Sequence, residues 1–261
     1  QRDYTLLGNS ATFTFCMSKE LKKYFRTSPS PMYVCKKDNL FFHYYTINDM
    51  KRRAQNWNNL YSINDLKSLK IKLELDLVEI RKKFEFKNND IETKILEVLS
   101  CYKKILIASL VSTEVPEFIK VSKKFLNISF EMRKEMEFVF KQGESLVKKL
   151  TEKLARQHKK PKNFFQNMTY QEFLSFVNSK KIPTHILYRD RFVFVKITPQ
   201  GELISYAKKA INVLSLNQPQ KTIMIKGNIA FRGLVTGKVK IIKLISDASK
   251  IKKRDIFIYK I

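Results

Sequence analysis

The sequence predicts an α+β fold: a helical, bundle-like N-terminal and central part, then a small antiparallel β element, then further strands toward the C-terminal end. Three observations predict it. Apolar residues recur at steps of three and four between residues 63 and 157. Shorter runs alternate at period two between 186 and 206, and β-type runs return from 222 onward. The composition, 44% hydrophobic with 6 Gly and 7 Pro in 261 residues, supplies a core and excludes a disordered or collagen-like chain.

The elements follow in order. Residues 1–62 read as a mixed α/β segment. Ala11 to Phe15 alternates small and aromatic residues and predicts a short strand. Ser18-Lys19-Glu20 opens a helical stretch to Phe25, which Ser28 to Pro31 breaks. Met32 to Val34 and Leu40 to Tyr45 flank Lys36-Lys37-Asp38-Asn39, a hairpin pattern. Phe41, Phe42, Tyr44, Tyr45 and Trp57 form an aromatic cluster that suits core packing better than base stacking. Residues 63–180 form the helical domain. Leu66, Leu69, Leu73, Leu77, Ile80 and Phe84 make one apolar stripe, with Asn64 or Asp65 as its cap. Asp90 can cap a second helix striped by Ile91, Ile95, Val98, Leu99, Tyr102, Ile105, Leu106 and Leu110. Pro116 is expected to interrupt it and to sit in the first turn of a further short helix. A long helix is expected from about Phe130 to Arg156, slightly weakened at Gly143. Such stripes need partners, so they pack as a bundle; coiled-coil pairing is disfavoured by short stripes and by flanking charges that are nearly all Lys. Gln157 to Lys162 is a polar break, and Thr169-Tyr170-Gln171-Glu172 is a capping box opening a helix to about Asn178. Residues 181–215 form the small β element, with strands at Ile186 to Arg189, Phe192 to Ile197 and Glu202 to Tyr206, turned by Arg189-Asp190-Arg191 and Pro199-Gln200-Gly201. Residues 216–261 carry strands at Thr222 to Lys226, Val239 to Leu244 and Asp255 to Tyr259. An apolar strand so close to the last residue is expected to have sheet partners outside the sequence.

The charge is strong. Against 24 acidic residues stand 51 basic ones, giving +27, of which 40 are Lys and 11 are Arg. A polyanion such as nucleic acid is therefore a candidate partner. The lysines run through every segment, though, and their A/T-rich codons offer a compositional origin. Nucleic-acid readers favour Arg where contacts are bidentate. A solvated lysine surface and an anion-binding face both fit. No apolar run approaches the ~20 residues that span a bilayer, Ile105 to Val111 being the longest, so no membrane is implied. Cys16, Cys35 and Cys101 are scattered and make no disulfide framework, which fits a reducing, cytoplasmic setting. The opening Gln1-Arg2-Asp3-Tyr4 has neither an initiator Met nor an apolar h-region, so preceding residues are expected and no signal peptide is read.

Chemistry-bearing constellations are sparse. Gly237-Lys238 is followed by Val239, which excludes a P-loop, and Gly227, Gly233 and Gly237 fit tight turns better than a dinucleotide fingerprint. His43, His158 and His185 lie far apart without metal-ligand spacing; His158 is expected in solvent, the other two in strands. Cys101 sits on an apolar helix face and reads as buried and inert. Glu114, Glu117 and Glu172 are carboxylates that could pair only if the fold gathers them. No catalytic, cofactor-binding or metal residue is assigned, and no cofactor is expected in this chain.

Ile225 to Tyr259 carries an ordered pattern: Gly227, Ala230, Gly233 with Gly237, the apolar run Val239 to Ile242, a polar spacer, then Asp255-Ile256. This resembles the opening of the swivelling phosphohistidine domain of phosphoenolpyruvate-utilising enzymes, a family that includes phosphoenolpyruvate synthase, pyruvate phosphate dikinase and rifampicin phosphotransferase. Arg254 stands where that family usually has Gly. Upstream, the Thr169 to Glu172 helix start and the Ile186 to Arg189 segment also resemble the region ahead of that domain. The resemblance covers the last third of the chain. It implies that residues 216–261 are the first strands of a swivelling β/α domain, and that Leu216 to Gln220 is a candidate hinge. It implies ATP and Mg²⁺ for the parent protein, whose other domains would be this chain's partners. The family's phosphoryl-carrying histidine lies in a G-G-x-x-S-H segment beyond these residues, and none of the three histidines here matches it. The chain therefore reads as a fragment of a phosphotransferase- or synthase-like protein, inactive alone. The competing reading is a basic helical binding or assembly module that contacts nucleic acid or another subunit; a degenerate, non-catalytic relative kept as a scaffold is the third.

Overall fold

The computed structural model describes residues 5–37, 40–44, 46–85, 90–189, 192–205, 239–242 and 256–259. The fold is α+β. Its backbone forms two compact units, Gln1–Leu214 and Ser215–Ile261. The segments 1–62, 63–180 and 181–214 thus belong to one unit.

The first unit is built around helices. In chain order these are α1 (Leu6–Cys16), α2 (Lys19–Phe25), α3 (Ile47–Leu60), α4 (Ile63–Glu85), α5 (Ile91–Phe118), α6 (Lys123–Gln157) and α7 (Tyr170–Ser179). The long stripes behave as amphipathic helices should. On α4, Leu66, Leu73, Leu77 and Ile80 are buried. On α5 the apolar residues from Ile91 to Val115 are buried around most of the helix, because α3, α4, α6 and α1 all pack against it. On α6 the buried positions Phe125, Met132, Met136, Val139, Val147 and Leu154 keep a helical spacing over 35 residues.

Caps set the ends. Ser122 starts α6 earlier than the expected Phe130, its hydroxyl accepting from the Phe125 amide at 3.2 Å. Ser62, rather than Asn64 or Asp65, takes the cap position of α4; Asp65 reaches back to accept from the Ser62 amide at 2.7 Å. Pro116 does not interrupt α5. It lies in the last turn, where its missing N–H removes one bond, and the Ile119 amide still closes onto the Val115 carbonyl at 2.9 Å.

Three expectations are corrected. Ala11 to Phe15 is not a strand but the second half of α1, capped by Thr5. Its inward residues Leu7, Ala11 and Phe15 run at steps of four, a period hidden in a five-residue window. Ile186 to Arg189 is not a strand but part of a 3-10 turn over Thr184–Arg189. In that geometry residues three apart eclipse, which sends both Ile186 and Arg189 inward, 1% and 0% exposed. Helix α3 occupies part of the mixed segment where no helix is expected; its inward face is Asp49, Arg53 and Trp57, largely polar and so silent to an apolar-period reading.

One antiparallel sheet lies in this unit, in the order β2-β1-β3-β4, with β1 (Met32–Lys37), β2 (Leu40–Tyr44), β3 (Phe192–Thr198) and β4 (Gly201–Ser205). The N-terminal hairpin is present as expected, but β1 also pairs with β3, Val34 opposite Val195. Val34, Val193, Val195 and Ile197 are buried, and α1 packs on β1 and β3. Gly201 closes the β3–β4 turn at φ 136°, a conformation that β-carbon-bearing residues avoid. In the second unit, β5 (Val239–Ile242) and β6 (Ile256–Tyr259) pair in parallel. The expected strand at Thr222 to Lys226, Gly227, Ala230, Gly233, Gly237, and the Leu216 to Gln220 hinge lie outside the described residues.

Candidate functional site

The two upstream motifs of the resemblance, Thr169 to Glu172 and Ile186 to Arg189, converge at the start of α7. The Thr169 hydroxyl accepts from the Glu172 amide at 3.3 Å, and the Glu172 carboxylate accepts from the Thr169 amide at 2.9 Å. The same carboxylate receives Arg189 in a fork: Nη1 donates to Oε2 and Nη2 to Oε1, each at 2.5 Å. Arg189 Nη1 also donates to the Asn167 carbonyl at 3.0 Å. His185 Nε2 lies 2.8 Å from Glu172 Oε1, and its ring is exposed. A hydroxyl from α1 completes the helix start, the Tyr170 amide donating to Ser10 Oγ at 2.7 Å.

Electrostatics separate two carboxylates here. Burial would push Glu172 up, but the Arg189 fork, with help from His185 and the Thr169 amide, holds it below the usual carboxylate range. Glu202, arriving from β4, is pushed up by burial; hydrogen bonds to Thr169 and Thr14 oppose this, and the charge on Glu172 adds to it. Thr14 Oγ1 donates to Glu202 Oε1 at 3.2 Å. A cavity of about 260 Å³ opens beside Glu202, lined also by Thr14, Gln171 and the β3–β4 turn. The arrangement can hold a charge, orient the exposed imidazole and tie α1, α7, the 3-10 turn and β4 together. His185 is oriented by its hydrogen bond to Glu172.

The other candidates named from the sequence do not join this cluster. Glu114 is buried on α5 and takes Arg53 of α3 in a second fork, at 2.8 and 2.5 Å. Burial alone would lower the Arg53 guanidinium, and Glu114 more than restores it. Glu117 is exposed on the same helix, and Glu172 is on α7, so the three carboxylates are not gathered. His158 is not in open solvent: its ring packs 5.4 Å from Phe176 and 5.7 Å from Phe165. His43 falls in β2, and its side chain lies outside the described residues, as do those of Phe41, Phe42, Tyr44 and Tyr45. Trp57 is buried against Tyr61 and Phe125, a core role. All three cysteines are buried; burial pushes the Cys16 thiol up to about 12. Sequence reasoning missed the buried acid Glu144, the half-buried Glu202 and the partner Arg53, and it placed His185 in a strand where the structure has the 3-10 turn. Only Glu172 and Arg189 carried a signal, through the capping box and the Ile-x-x-Arg spacing.

Among the described residues no three His, Cys, Asp or Glu side chains converge to hold a metal, and no helix is long and apolar enough to cross a membrane. No family model, curated protein or solved structure matches the chain.

Proposed function

We propose that this chain is part of a phosphoenolpyruvate-utilising phosphotransferase- or synthase-like protein. Residues from 216 on open its phosphohistidine carrier domain, and the unit ending at Leu214 is the body ahead of it. One observation carries the reading. β5 and β6 pair in parallel within a unit that begins at Ser215. A parallel pair cannot be closed by a tight hairpin turn and needs a connection of about a dozen residues or more, and the run between β5 and β6 is long enough for one. The Thr169–Glu172–Arg189 fork adds support, since the upstream motif residues act as one bonded group.

On this reading a histidine carries the phosphoryl group between two sites, and a carrier that travels must be a unit of its own. That histidine belongs to a G-G-x-x-S-H segment, which does not occur in the 261 residues, so this chain alone transfers nothing. ATP and Mg²⁺ enter only as what the resemblance implies for the longer protein. A cytoplasmic, reducing setting belongs to the same reading and agrees with three buried cysteines.

The coding sequence beyond Ile261 and a labelling experiment test it. The full-length protein, incubated with Mg²⁺ and ³²P-labelled phosphoenolpyruvate or ATP, takes up an acid-labile, base-stable label. Replacing the segment's histidine by alanine abolishes it. An extended protein without the segment, or one that stays unlabelled, overturns the reading.

A further inference from the structure

Helix α2 faces the core with Leu21 and Phe25, four residues apart. Its outer face carries Lys19, Lys22 and Lys23, at the i, i+3, i+4 spacing that puts side chains side by side, and Arg26 follows as its C-cap. All four are exposed, and among the described residues none has an ion-pair partner; the helix's one acid, Glu20, is committed to Lys103 at 3.0 Å. Like charges at these spacings repel, so the cluster is held together against its own field.

These four cations, with Thr27 and Ser28, line a cleft of about 430 Å³. The Thr27 hydroxyl is buried there without a hydrogen-bond partner, a group whose desolvation is uncompensated. The floor is fixed from α3. Asn56 Nδ2 donates to the Phe25 and Arg26 carbonyls at 2.9 and 3.3 Å, and Arg52 Nη2 to the Ser28 carbonyl at 3.2 Å. Arg26 itself sits at φ 47°, ending the helix so that the chain turns into the cleft rim.

We propose that this cleft binds a ligand through a row of phosphates. The chemistry is read from charge, number and spacing. From Lys19 to Phe25 the helix advances by ~9 Å, with Arg26 just beyond its end, a length that suits several consecutive phosphates better than one carboxylate. Among the described residues the lining is cationic and hydroxylic, Lys19, Lys22, Lys23, Arg26, Thr27 and Ser28, a set suited to phosphate oxygens. The inference stands apart from the carrier reading, because it concerns only the first unit.

The test uses the 261-residue protein and inorganic tripolyphosphate, titrated calorimetrically at low salt. The variant K19Q/K22Q/K23Q/R26Q keeps good helix formers; a control, K149Q/K153Q/R156Q/K159Q, removes equal charge from exposed positions around the end of α6. The expected result is saturable 1:1 binding that weakens by about tenfold or more in the cleft variant and by less than about threefold in the control. Equal losses in the two quadruple variants, or binding without saturation, overturn the proposal, since net charge alone then explains it. A 12-nucleotide single-stranded oligonucleotide is the competing arm. Displacement of tripolyphosphate assigns the phosphates to a nucleic-acid backbone, and none assigns them to a soluble phosphate compound.

Discussion

Arg189 is fully buried, and its guanidinium donates to the Glu172 carboxylate and to the Asn167 carbonyl. Removing one partner of such a pair strands the other. Arg189→Met is therefore expected to destabilise the first unit by ~3–5 kcal/mol, read from urea unfolding. The double variant R189M/E172Q should recover part of that loss, because neither charge is then orphaned. The pH dependence has a definite sign. Glu172 is held below its unfolded value, so its contribution is present above an unfolded pKa of about 4.3 and is lost as pH falls through the folded one. The acid limb of the stability curve should be shallower in R189M than in the wild type. Half of this pair is legible in the sequence: Thr169 to Glu172 is a capping box at sight. The 3-10 turn that swings Arg189 inward is not, because four residues do not separate period two from period three.

At the scale of elements, the stripes of α4, α5 and α6 are legible because long helices repeat their pattern several times. Helix α3 is not. Its inward residues include Asp49 and Arg53, which Arg52, Ser30 and Glu114 answer; Ser30 and Glu114 lie 19 and 61 residues away, and no local pattern marks them. Helix α1 hides its period for the opposite reason, being buried almost all round. The meeting of α5 and α6 depends on Gly143. A β-carbon there would stand 3.0 Å from Tyr102 Cε1, 3.1 Å from its hydroxyl and 3.2 Å from Phe84 Cζ. The sequence marks this glycine only as a weak point. The structure makes it the place where two helices approach closely. Gly143→Ala gains ~1 kcal/mol of helix propensity. It is nonetheless expected to lower stability by ~1–3 kcal/mol, because Tyr102, which also donates to Glu144 at 3.2 Å, must shift. Thermal unfolding reads the difference, with S145A, at an exposed position on the same helix, as the near-neutral control.

At the scale of the molecule, two units share one chain. A protein ending at Leu214 should fold and show a Tm within a few degrees of the same unit in the longer chain, since its core and its sheet lie within those residues. A molten, non-cooperative product would mean that the second unit is needed for the first. The charge of +27 is legible from composition, but the gathering of four cations on one short helix becomes visible only once Leu21 and Phe25 are seen to face inward. Strand order has a consequence for synthesis. β1 pairs with β2 at once, but its other edge waits for β3, about 160 residues later. At ~5–20 residues per second a ribosome needs roughly ten to thirty seconds to deliver that partner. Throughout this interval the nascent hairpin presents an open, apolar-sided edge, and a chaperone that shields extended backbone would have its natural client there.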